Sequence, residues 1–501
     1  MESDDEVIPL GGVRNPPPRP GLTPPQALNL YISHAFSTWN ARGYEFAAVY
    51  PLHGCRVPGH TGGGGVANLL AGDTPETATA RFALPRNDIL KGITFAIAVA
   101  FGIIERLSAS GNLISMERDW VVTVAGPVGH PYDLTNLNAV MRRIDLVCKL
   151  ISPILISIVI SATDSVRIGV LYTGLGSLVS IPIELLSAKR VWNSSPVLRT
   201  PKPVPVHEAE QQPVTVSAER GVSIASWLRG PRQYFQGLEM YFSTSVWMPS
   251  VALAMLHFNM LTWRATFITY LINIGYSLTT ITVARGIGSL FEISSTIITP
   301  RGIVYLGKTG RHRLASGDNP GDESNISLMH EESQQEDVTE DGQTVVGLQR
   351  LGLWGMSSQL LNTIPVVLAL WVISPNRDES PPALFPRLTD GLSVGWSFVL
   401  FSFLAFSRLG VWIFDLTTQQ LTQTLVHKTQ RSSFAGVENS VVNVFEVLGA
   451  GAAIAFPRVE QYRWLALASL VSVLLSWCLY AWWVRAQRGH LVHWEKLGAG
   501  L

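Results

Sequence analysis

The side chains best suited to bind a ligand or an ion are ionisable residues that stand inside otherwise apolar stretches. The stretch "SHAFSTWNARGYEF" carries Asn40, Arg42 and Glu45 between two apolar runs. Arg264 stands inside "LTWRATFI", and Glu446 stands inside "GVENSVVNVFEVLG". An ionisable group within a membrane span costs about 3 kcal/mol on insertion scales, so such groups usually pair with each other or line a polar cavity. These residues are therefore candidates either for a cation path or for structural ion pairs.

Further charged residues cluster where apolar stretches begin or end. The stretch "SMERDWVVTVAG" carries Arg118 and Asp119, and "VMRRIDLVCKLISPI" carries Arg142, Arg143 and Asp145. Long basic side chains near a span end commonly extend to the membrane surface and anchor the helix. The alternative is that these residues form gate pairs between helices. Both interpretations stay open from the sequence alone.

The composition indicates a membrane protein. Of 501 residues, 47% are hydrophobic and 15% are charged, whereas about 25% are charged in typical soluble domains. Basic and acidic residues both number 37, so the net charge is +0 and the sequence lacks the excess of basic residues that indicates a nucleic-acid partner. The three cysteines show no CxxC spacing and support neither a disulfide framework nor a zinc site. Without a nucleotide-binding loop, GxSxG or HExxH, neither an enzyme nor a cofactor is expected.

Apolar stretches of about 20 residues, the length that crosses a bilayer, occur about ten times. They lie near residues 28–50, 89–110, 146–165, 168–188, 244–263, 265–300, 351–374, 393–414, 434–456 and 461–485. Segments rich in Gly, Pro and acidic residues cannot bury enough apolar area to order themselves alone. The predicted divisions are a disordered tail (1–27), an N-terminal helical lobe (28–192) with an irregular part (51–87), a linker (193–235), a C-terminal helical lobe (236–485) with a disordered loop (308–347), and a tail (486–501). The sequence thus predicts an all-α polytopic membrane protein.

Basic residues at the span ends predict the orientation of the chain. They flank the linker 193–235 and the loop 308–347, and they recur in the C-terminal tail. Because cytosolic segments carry an excess of Lys and Arg, these segments and both termini are predicted to be cytosolic. Four predicted spans precede the linker and six follow it, so the first half is two spans shorter than the second.

Six motifs follow one another between residues 28 and 485: "LYISHAFSTWNARGYEFA", "ERDWVVTVAG", "LTNLNAVMRRID", "SLVSIPIE", "GVWIFDLTTQQL" and "GVENSVVNVFEVLG". In these motifs the sequence resembles the ferroportin family, the iron exporters of solute carrier family 40, in a form similar to fungal members. The resemblance implies a major-facilitator-like fold of twelve helices in two lobes. It also implies iron (Fe²⁺) efflux by alternating access, and a seventh helix interrupted in mid-membrane around Thr262 to Ala265.

The sequence departs from the family pattern in its helix count and in its metal ligands. Residues 51–87 stand where the family has its second and third helices, which is consistent with a variant fold or with a misassembled gene model. The family pattern has Asp and His ligands in the first helix, and Ala41 and Glu45 take those positions here. The Cys and His of the second lobe correspond to Ala265 and Gly449.

The resemblance implies that Ser177, Ser180 and Glu184 face the central cavity. The full set of candidate metal or substrate residues adds further residues from the sequence itself and is Asn40, Glu45, Asp145, Ser177, Ser180, Glu184 and His257. We expect Glu45, Asp145 and Glu184 to converge on one cation, because a buried carboxylate without a partner is costly. Such an oxygen-rich site suits Ca²⁺, Mg²⁺ or Mn²⁺, with Fe²⁺ as a borderline ion.

The same pattern has an interpretation in terms of gates and ion pairs. The candidate residues are Arg42, Arg118, Asp119, Arg142, Arg143, Arg264 and Glu446. Arg264 would repel a divalent cation at short range, so we expect it to pair with Glu446, Glu438 or Glu292. In the structural alternative to a cation site, Glu45 pairs with Arg42 or Arg118.

Three functions remain open from the sequence. The first is a monomeric Fe²⁺ exporter in the plasma membrane or an organelle membrane. The second, which the altered ligands suggest, is a transporter of another divalent cation or a small solute. The third, which the missing helices suggest, is an inactive membrane protein.

Overall fold

The computed structural model describes residues 22–47, 88–163, 165–200, 224–308, 329–373 and 391–488. The regular secondary structure in these ranges is helical, as the sequence predicts. The irregular part 51–87 and the outer ends of both tails lie outside the described residues. The prediction that no regular span forms at 51–87 therefore stays a prediction.

The described part of the N-terminal lobe contains four long helices and two short ones. Its helices are α1 (Pro24–Ala47), α2 (Asp88–Leu113), α3 (Val121–Val124), α4 (Leu134–Thr163), α5 (Val166–Ser194) and α6 (Pro196–Arg199), with a π-helical turn at Ile114–Trp120 between α2 and α3. Helix α1 packs against both α4 and α5. Asp133 begins α4, because its Oδ1 accepts a 2.7 Å hydrogen bond from the backbone N–H of Asn136 as an N-cap.

The C-terminal lobe continues the same architecture. Its helices are α7 (Ile224–Ser243), α8 (Trp247–Met255), α9 (Ala265–Asn273), α10 (Leu278–Lys308), α11 (Met329–Ile373), α12 (Gly391–Leu425), α13 (Arg431–Ala455) and α14 (Tyr462–Arg488), with 3₁₀ turns at Leu256–Phe258 and Val459–Gln461. Helices α11 and α12 approach closely, since a Cβ added at Gly410 would lie 2.6 Å from the carbonyl oxygen of Gly355. Small residues permit this backbone approach, a common packing device in membrane helices.

The helical path is interrupted between Phe258 and Ala265, where the family resemblance implies a broken helix. Backbone groups that have no helical hydrogen bond at this break bond to side chains of α14 instead. The N–H of Met260 donates to Ser469 Oγ at 2.8 Å, and the hydroxyl of Tyr462 donates to the carbonyl of Met260 at 2.8 Å. Unwound backbone at membrane depth is tolerated only where it is satisfied in this way or lines a cavity.

Several helices have the length and composition of membrane spans. Within the described ranges, six meet both requirements: Arg167–Ser194, Thr280–Gly307, Gly342–Ile373, Val394–Leu425, Arg431–Ala455 and Val459–Arg488. Trp247–Phe258 is a shorter apolar helix. Large apolar side chains such as Phe101, Leu178 and Ile454 are exposed on the outside of the bundle, as expected for a surface that faces lipid. The predicted total of about ten crossings is not decided by these six helices.

The structure corrects part of the predicted loop 308–347. Helix α11 begins at Met329, so the second half of that segment is helical. The stretch "HEESQQEDVTEDGQ" is rich in Glu and Gln, which are good helix formers. The prediction weighed apolar burial alone and overlooked this intrinsic propensity. Residues 309–328 lie outside the described part of the chain.

The predicted linker 193–235 is also shorter than expected. Helix α5 ends at Ser194, α6 follows, and α7 begins at Ile224. The α7 sequence "IASWLRGPRQYFQGLEMYFS" mixes apolar, aromatic and basic residues, which suits a helix at the edge of the bundle better than a flexible linker. Between these helices, residues 201–223 lie outside the described part of the chain.

Candidate functional site

The two lobes meet through a layer of polar side chains at the end of the bundle where α4 begins and α12 ends. We call it the gate layer and define it by Arg118, Asn138, Arg142, Lys149, Glu292, Arg408, Asp415, Gln419, Gln423 and Glu438. Each contact described below joins residues of both lobes or orients a residue that does. At this end, therefore, the lobes are closed against each other.

Arg142 joins α4 to α12. Its Nη2 lies 2.7 Å from Asp415 Oδ2 and donates to Gln419 Oε1 at 3.1 Å. Its Nη1 lies 3.7 Å from Oδ2 of Asp145, one turn along α4. All of these side chains are largely buried, so the charges compensate each other in a medium of low polarity.

Arg118 makes a second connection between the lobes. Its Nη2 lies 3.0 Å from Glu438 Oε2, and its Nη1 donates to Thr422 Oγ1 at 2.9 Å. The hydroxyl of Ser250 donates to the other oxygen of Glu438 at 3.0 Å. Both oxygens of this buried carboxylate are thus engaged. Asp119, the neighbouring gate candidate, lies in the same π-helical turn, where its carbonyl accepts a bond from Thr123 Oγ1.

Amide side chains complete the gate layer. Gln423 Nε2 donates to the carbonyl of Glu117 at 2.8 Å, and Gln419 Nε2 donates to Glu117 Oε2 at 3.3 Å. Asn138 Nδ2 donates to Gln423 Oε1 at 2.5 Å. His34 Nε2 lies 3.2 Å from the carbonyl of Met141 and 3.7 Å from Glu117 Oε1. This network fixes Glu117 between the lobes.

A second group of three charged residues lies deeper in the bundle, beside the middle of α4. Lys149 Nζ lies 3.2 Å from Glu292 Oε2, and Arg408 Nε donates to Glu292 Oε1 at 2.7 Å. Glu292 is only 2% exposed, so two cations compensate one buried carboxylate. The Trp412 ring lies 5.1 Å from Lys149 Nζ, 5.8 Å from the Arg408 guanidinium and 5.3 Å from that of Arg142, as in cation–π contacts.

The candidate residues predicted from the sequence did not include Lys149, Arg408 and Asp415 of the gate layer or the adjacent Trp412. Glu292 was predicted only as one of three partners for Arg264. A usable signal was present, because Asp415, Gln419, Thr422 and Gln423 recur at helical spacing within an otherwise apolar α12. Arg143, which was predicted as a gate residue, donates to Thr296 Oγ1 of α10 at 3.0 Å and so also reaches the other lobe.

The predicted cation ligands of the N-terminal lobe fall into separate groups. Arg42 donates to Asp145 Oδ1 through Nε at 3.2 Å and through Nη2 at 2.7 Å. Because Asp145 also faces Arg142, two guanidinium groups neutralise this carboxylate. The expected site of three converging carboxylates therefore loses Asp145. Within the described ranges, no three His, Cys, Asp or Glu side chains form a cluster that could hold a metal.

The remaining candidates of this lobe lie where α1 faces α5. Asn40 Nδ2 donates to Ser180 Oγ at 2.5 Å, and Ser180 Oγ donates to the carbonyl of Ser177 at 2.9 Å. Asn112 Nδ2 donates to Glu184 Oε1 at 3.3 Å. Asn40 Oδ1 is buried without a hydrogen-bond partner, so one ligand-type oxygen is unused. The side chain of Glu45, near the end of α1, lies outside what the structure describes.

In the C-terminal lobe, Glu446 gathers basic groups beside the broken helix. Arg264 Nη2 lies 2.8 Å from Glu446 Oε1, and His257 Nδ1 lies 3.2 Å from the same oxygen. Arg106 of α2 approaches Glu446 Oε2 to 3.8 Å from the other lobe. The Arg264–Glu446 pair is one of the three expected from the sequence. This pair places the guanidinium of Arg264 on the carboxylate of Glu446, beside the broken helix.

The two family ligand positions of this lobe lie against the same unwound segment. Arg264 lines a cavity of about 160 Å³ with Met260, Thr262, Thr266, Ala450 and Ala453. Ala265 begins α9. At Gly449, an added Cβ would lie 2.6 Å from Met260 Cε and 3.4 Å from the carbonyl oxygen of Phe258. Helix α13 therefore passes so close to the broken helix that an imidazole at Gly449 would displace Met260.

Comparison with known proteins agrees with this architecture. The profile of the family described as Ferroportin1 matches residues 71–307 and 342–473. Solute carrier family 40 member 1 of Oryza sativa subsp. japonica is 25% identical over 397 residues, which cover 79% of this chain and 70% of the rice protein. Ferroportin of Homo sapiens is 23% identical over 433 residues, with 77% and 71% of the two chains covered.

Solved structures share the fold. A bacterial homologue of the iron transporter ferroportin, in an outward-facing state, superposes with a TM-score of 0.58 at 16% identity and covers 91% of this chain and 99% of its own. A bacterial homologue in an outward-facing state with soaked iron gives a TM-score of 0.54 at 18% identity, with 92% and 83% covered. The fold is thus the major-facilitator-like bundle of these transporters. The family profile matches well over half of the residues of this chain, and this multi-pass membrane protein therefore belongs to the Ferroportin1 family.

Proposed function

We propose that this chain exports Fe²⁺ across a membrane by alternating access between its two lobes. The observation that carries the proposal is the gate layer, which joins the lobes at one end of the bundle through Arg118–Glu438, Arg142–Asp415 and Lys149–Glu292. Transport requires that a central site open to one side at a time. A buried layer of ion pairs at one end closes the central site to one side of the membrane, as one state of such a cycle requires.

The gate layer favours two discrete states over a gradual opening. Removing one partner from a buried ion pair costs about 3–5 kcal/mol, because the other charge is left uncompensated. Arg142 and Glu292 each serve more than one partner, so their pairs are expected to separate together. The free-energy cost of separating these pairs is then offset by contacts formed at the opposite end and by binding of the transported ion.

Oxygen atoms of α1 and α5 bind the transported cation. Asn40, Glu45 and Glu184 supply the main ligands, with the hydroxyls of Ser177 and Ser180 beside them. The buried Asn40 Oδ1 without a partner supports this assignment, since a cation would complete its coordination. Arg42 holds Asp145 out of the ligand set and thereby connects the site to the gate layer through Arg142.

The C-terminal lobe takes no metal ion in this scheme. Glu446 is held by Arg264, and His257 shares the same carboxylate oxygen. A guanidinium and a divalent cation that compete for one carboxylate repel each other strongly at short range. Helix α13 presents Gly449, which has no side chain to offer as a ligand.

Transport of another divalent cation is the second candidate function. The ligand set of Asn, Glu and Ser consists of oxygen donors, which suit Mn²⁺ at least as well as Fe²⁺. Uptake and efflux assays with both ions distinguish the two candidates.

The test is efflux of radiolabelled Fe²⁺ and Mn²⁺ from cells that express wild type, Glu45→Gln, Glu184→Gln or Glu239→Gln. Glu239 is an exposed acid on α7 outside the site, so it serves as the matched control. We expect both site variants to lose efflux while reaching the membrane, and the control to keep it. Wild-type rates in both site variants would disprove the cation site, and a wild type that moves neither ion would disprove the transport function.

A further inference from the structure

We propose that Arg463, enclosed by Trp371 and Trp464, binds the phosphate of a lipid headgroup at the membrane interface opposite the gate layer. The Arg463 guanidinium lies 5.4 Å from the ring centre of Trp371 and 5.8 Å from that of Trp464. The two indoles meet edge to face, with centroids 5.3 Å apart and planes at 79°. The ends of α11 and α14 thus hold a cation between two aromatic rings.

The location of this cluster along α14 matches the level of the headgroups. Helix α14 runs from Tyr462 to Arg488, and its last turn carries Arg485. At 1.5 Å per residue, Arg463 and Arg485 lie about 33 Å apart along the axis. The hydrocarbon core of a bilayer is about 30 Å thick, so both arginines reach the headgroup regions on opposite sides.

The antiparallel partner α11 confirms which end this is. Near the middle of α11, the Tyr480 hydroxyl donates to the carbonyl of Gln349, and the Tyr480 ring packs edge to face against Phe414, the neighbour of Asp415 in the gate layer. Trp371 lies near the other end of α11, beside Trp464. Trp371 and Trp464 are 40% and 48% exposed, as expected for aromatic residues of an interfacial belt.

The charge of Arg463 has no protein partner in the described part of the chain. No carboxylate there lies within ion-pair distance of it, and its buried Nε makes no hydrogen bond. Cation–π contacts orient a guanidinium but leave its N–H groups without acceptors. A phosphate fits this need, because Arg binds phosphate through parallel N–H donors and the exposed indoles pack against the adjoining lipid.

The test is a lipid titration of the purified full chain in maltoside detergent, read by native mass spectrometry and by the melting temperature. The probes are phosphatidylglycerol, diacylglycerol, which lacks the phosphate, and inorganic phosphate. The variants are Arg463→Gln, Arg463→Lys and Trp371→Leu. The matched control is Arg458→Gln, which removes an exposed arginine from the same connection without touching the two indoles.

We expect wild type and Arg458→Gln to bind phosphatidylglycerol equally and to melt at a higher temperature with it. Arg463→Gln should bind it about tenfold more weakly, because a charge-assisted hydrogen bond is lost. Arg463→Lys and Trp371→Leu, which keep a positive charge, should give intermediate affinity and show that a weak result does not come from misfolding. The proposal is overturned if Arg463→Gln binds as wild type does, if diacylglycerol binds equally well, or if inorganic phosphate alone reproduces the melting shift.

Discussion

At the scale of single residues, Arg142 holds the lobes together, since it contacts Asp145 within its own lobe and Asp415 and Gln419 across the interface. Its guanidinium is largely buried, and it compensates the buried charge of Asp415, whereas Asp145 is also paired with Arg42. The same logic applies to Glu292, between Lys149 and Arg408. These side chains therefore control both the stability and the opening of the gate layer.

We predict that Arg142→Ala lowers the free energy of unfolding by about 3–5 kcal/mol, because it leaves the buried carboxylate of Asp415 uncompensated. Arg143→Ala is the matched control. Its neighbouring guanidinium donates to a hydroxyl, Thr296 Oγ1, so its loss should cost about 1 kcal/mol. Chemical unfolding in detergent measures both. Arg142→Ala combined with Asp415→Ala should recover part of the loss, and equal effects of the two single substitutions would contradict the buried-pair account.

Arg264 is expected to keep metal away from Glu446. We predict that Arg264→Ala creates an additional Mn²⁺ site at Glu446 and His257, whereas Arg264→Lys, which retains a cation, does not. Calorimetric titration of the purified protein with Mn²⁺ gives the number of sites. An unchanged number of sites in Arg264→Ala would show that the guanidinium does not mask a metal site.

At the scale of helices, the close approach of α11 and α12 depends on glycine. A Cβ at Gly410 would lie 2.6 Å from the carbonyl oxygen of Gly355 and 2.8 Å from the backbone nitrogen of Gln359, and backbone atoms cannot move aside easily. We predict that Gly410→Ala destabilises the protein by about 1–3 kcal/mol through overpacking. Gly395→Ala, on the same helix with nothing within 4 Å of the new Cβ, should be neutral or stabilising by up to about 1 kcal/mol. Unfolding curves of the two variants that coincide would refute the close-packing argument.

The sequence predicted the positions of the helices better than the side-chain contacts between them. Apolar runs located the long helices, and the family resemblance located the break between Phe258 and Ala265. The start of α11 at Met329 was missed, because composition alone does not weigh helix propensity against polarity. Asp145 was assigned to a metal because spacing cannot show that Arg42 and Arg142 both reach it from different directions. Long-range pairing of this kind depends on tertiary packing, which a local pattern does not encode.

At the scale of the whole molecule, the two lobes form a transporter that is closed at the end carrying the gate layer. We predict that this end faces the cytosol, together with the linker and the loop that precedes α11, because basic residues flank both segments. The sequons at Asn193 and Asn325 then remain unmodified in a eukaryotic host. A glycosidase-sensitive mass shift mapped to either asparagine would reverse the orientation.

Opening of the gate layer is the central claim, and a cross-link across it is the most direct measurement. Asn138 and Gln423 hydrogen-bond to each other from opposite lobes, so cysteines at both positions can be joined by a short bifunctional thiol reagent in a background without native cysteines. The protein is reconstituted in vesicles loaded with Fe²⁺, and efflux is compared before and after cross-linking, with each single-cysteine variant as control. The account predicts that cross-linking abolishes Fe²⁺ efflux in the double variant alone. Undiminished efflux from the cross-linked protein would contradict it.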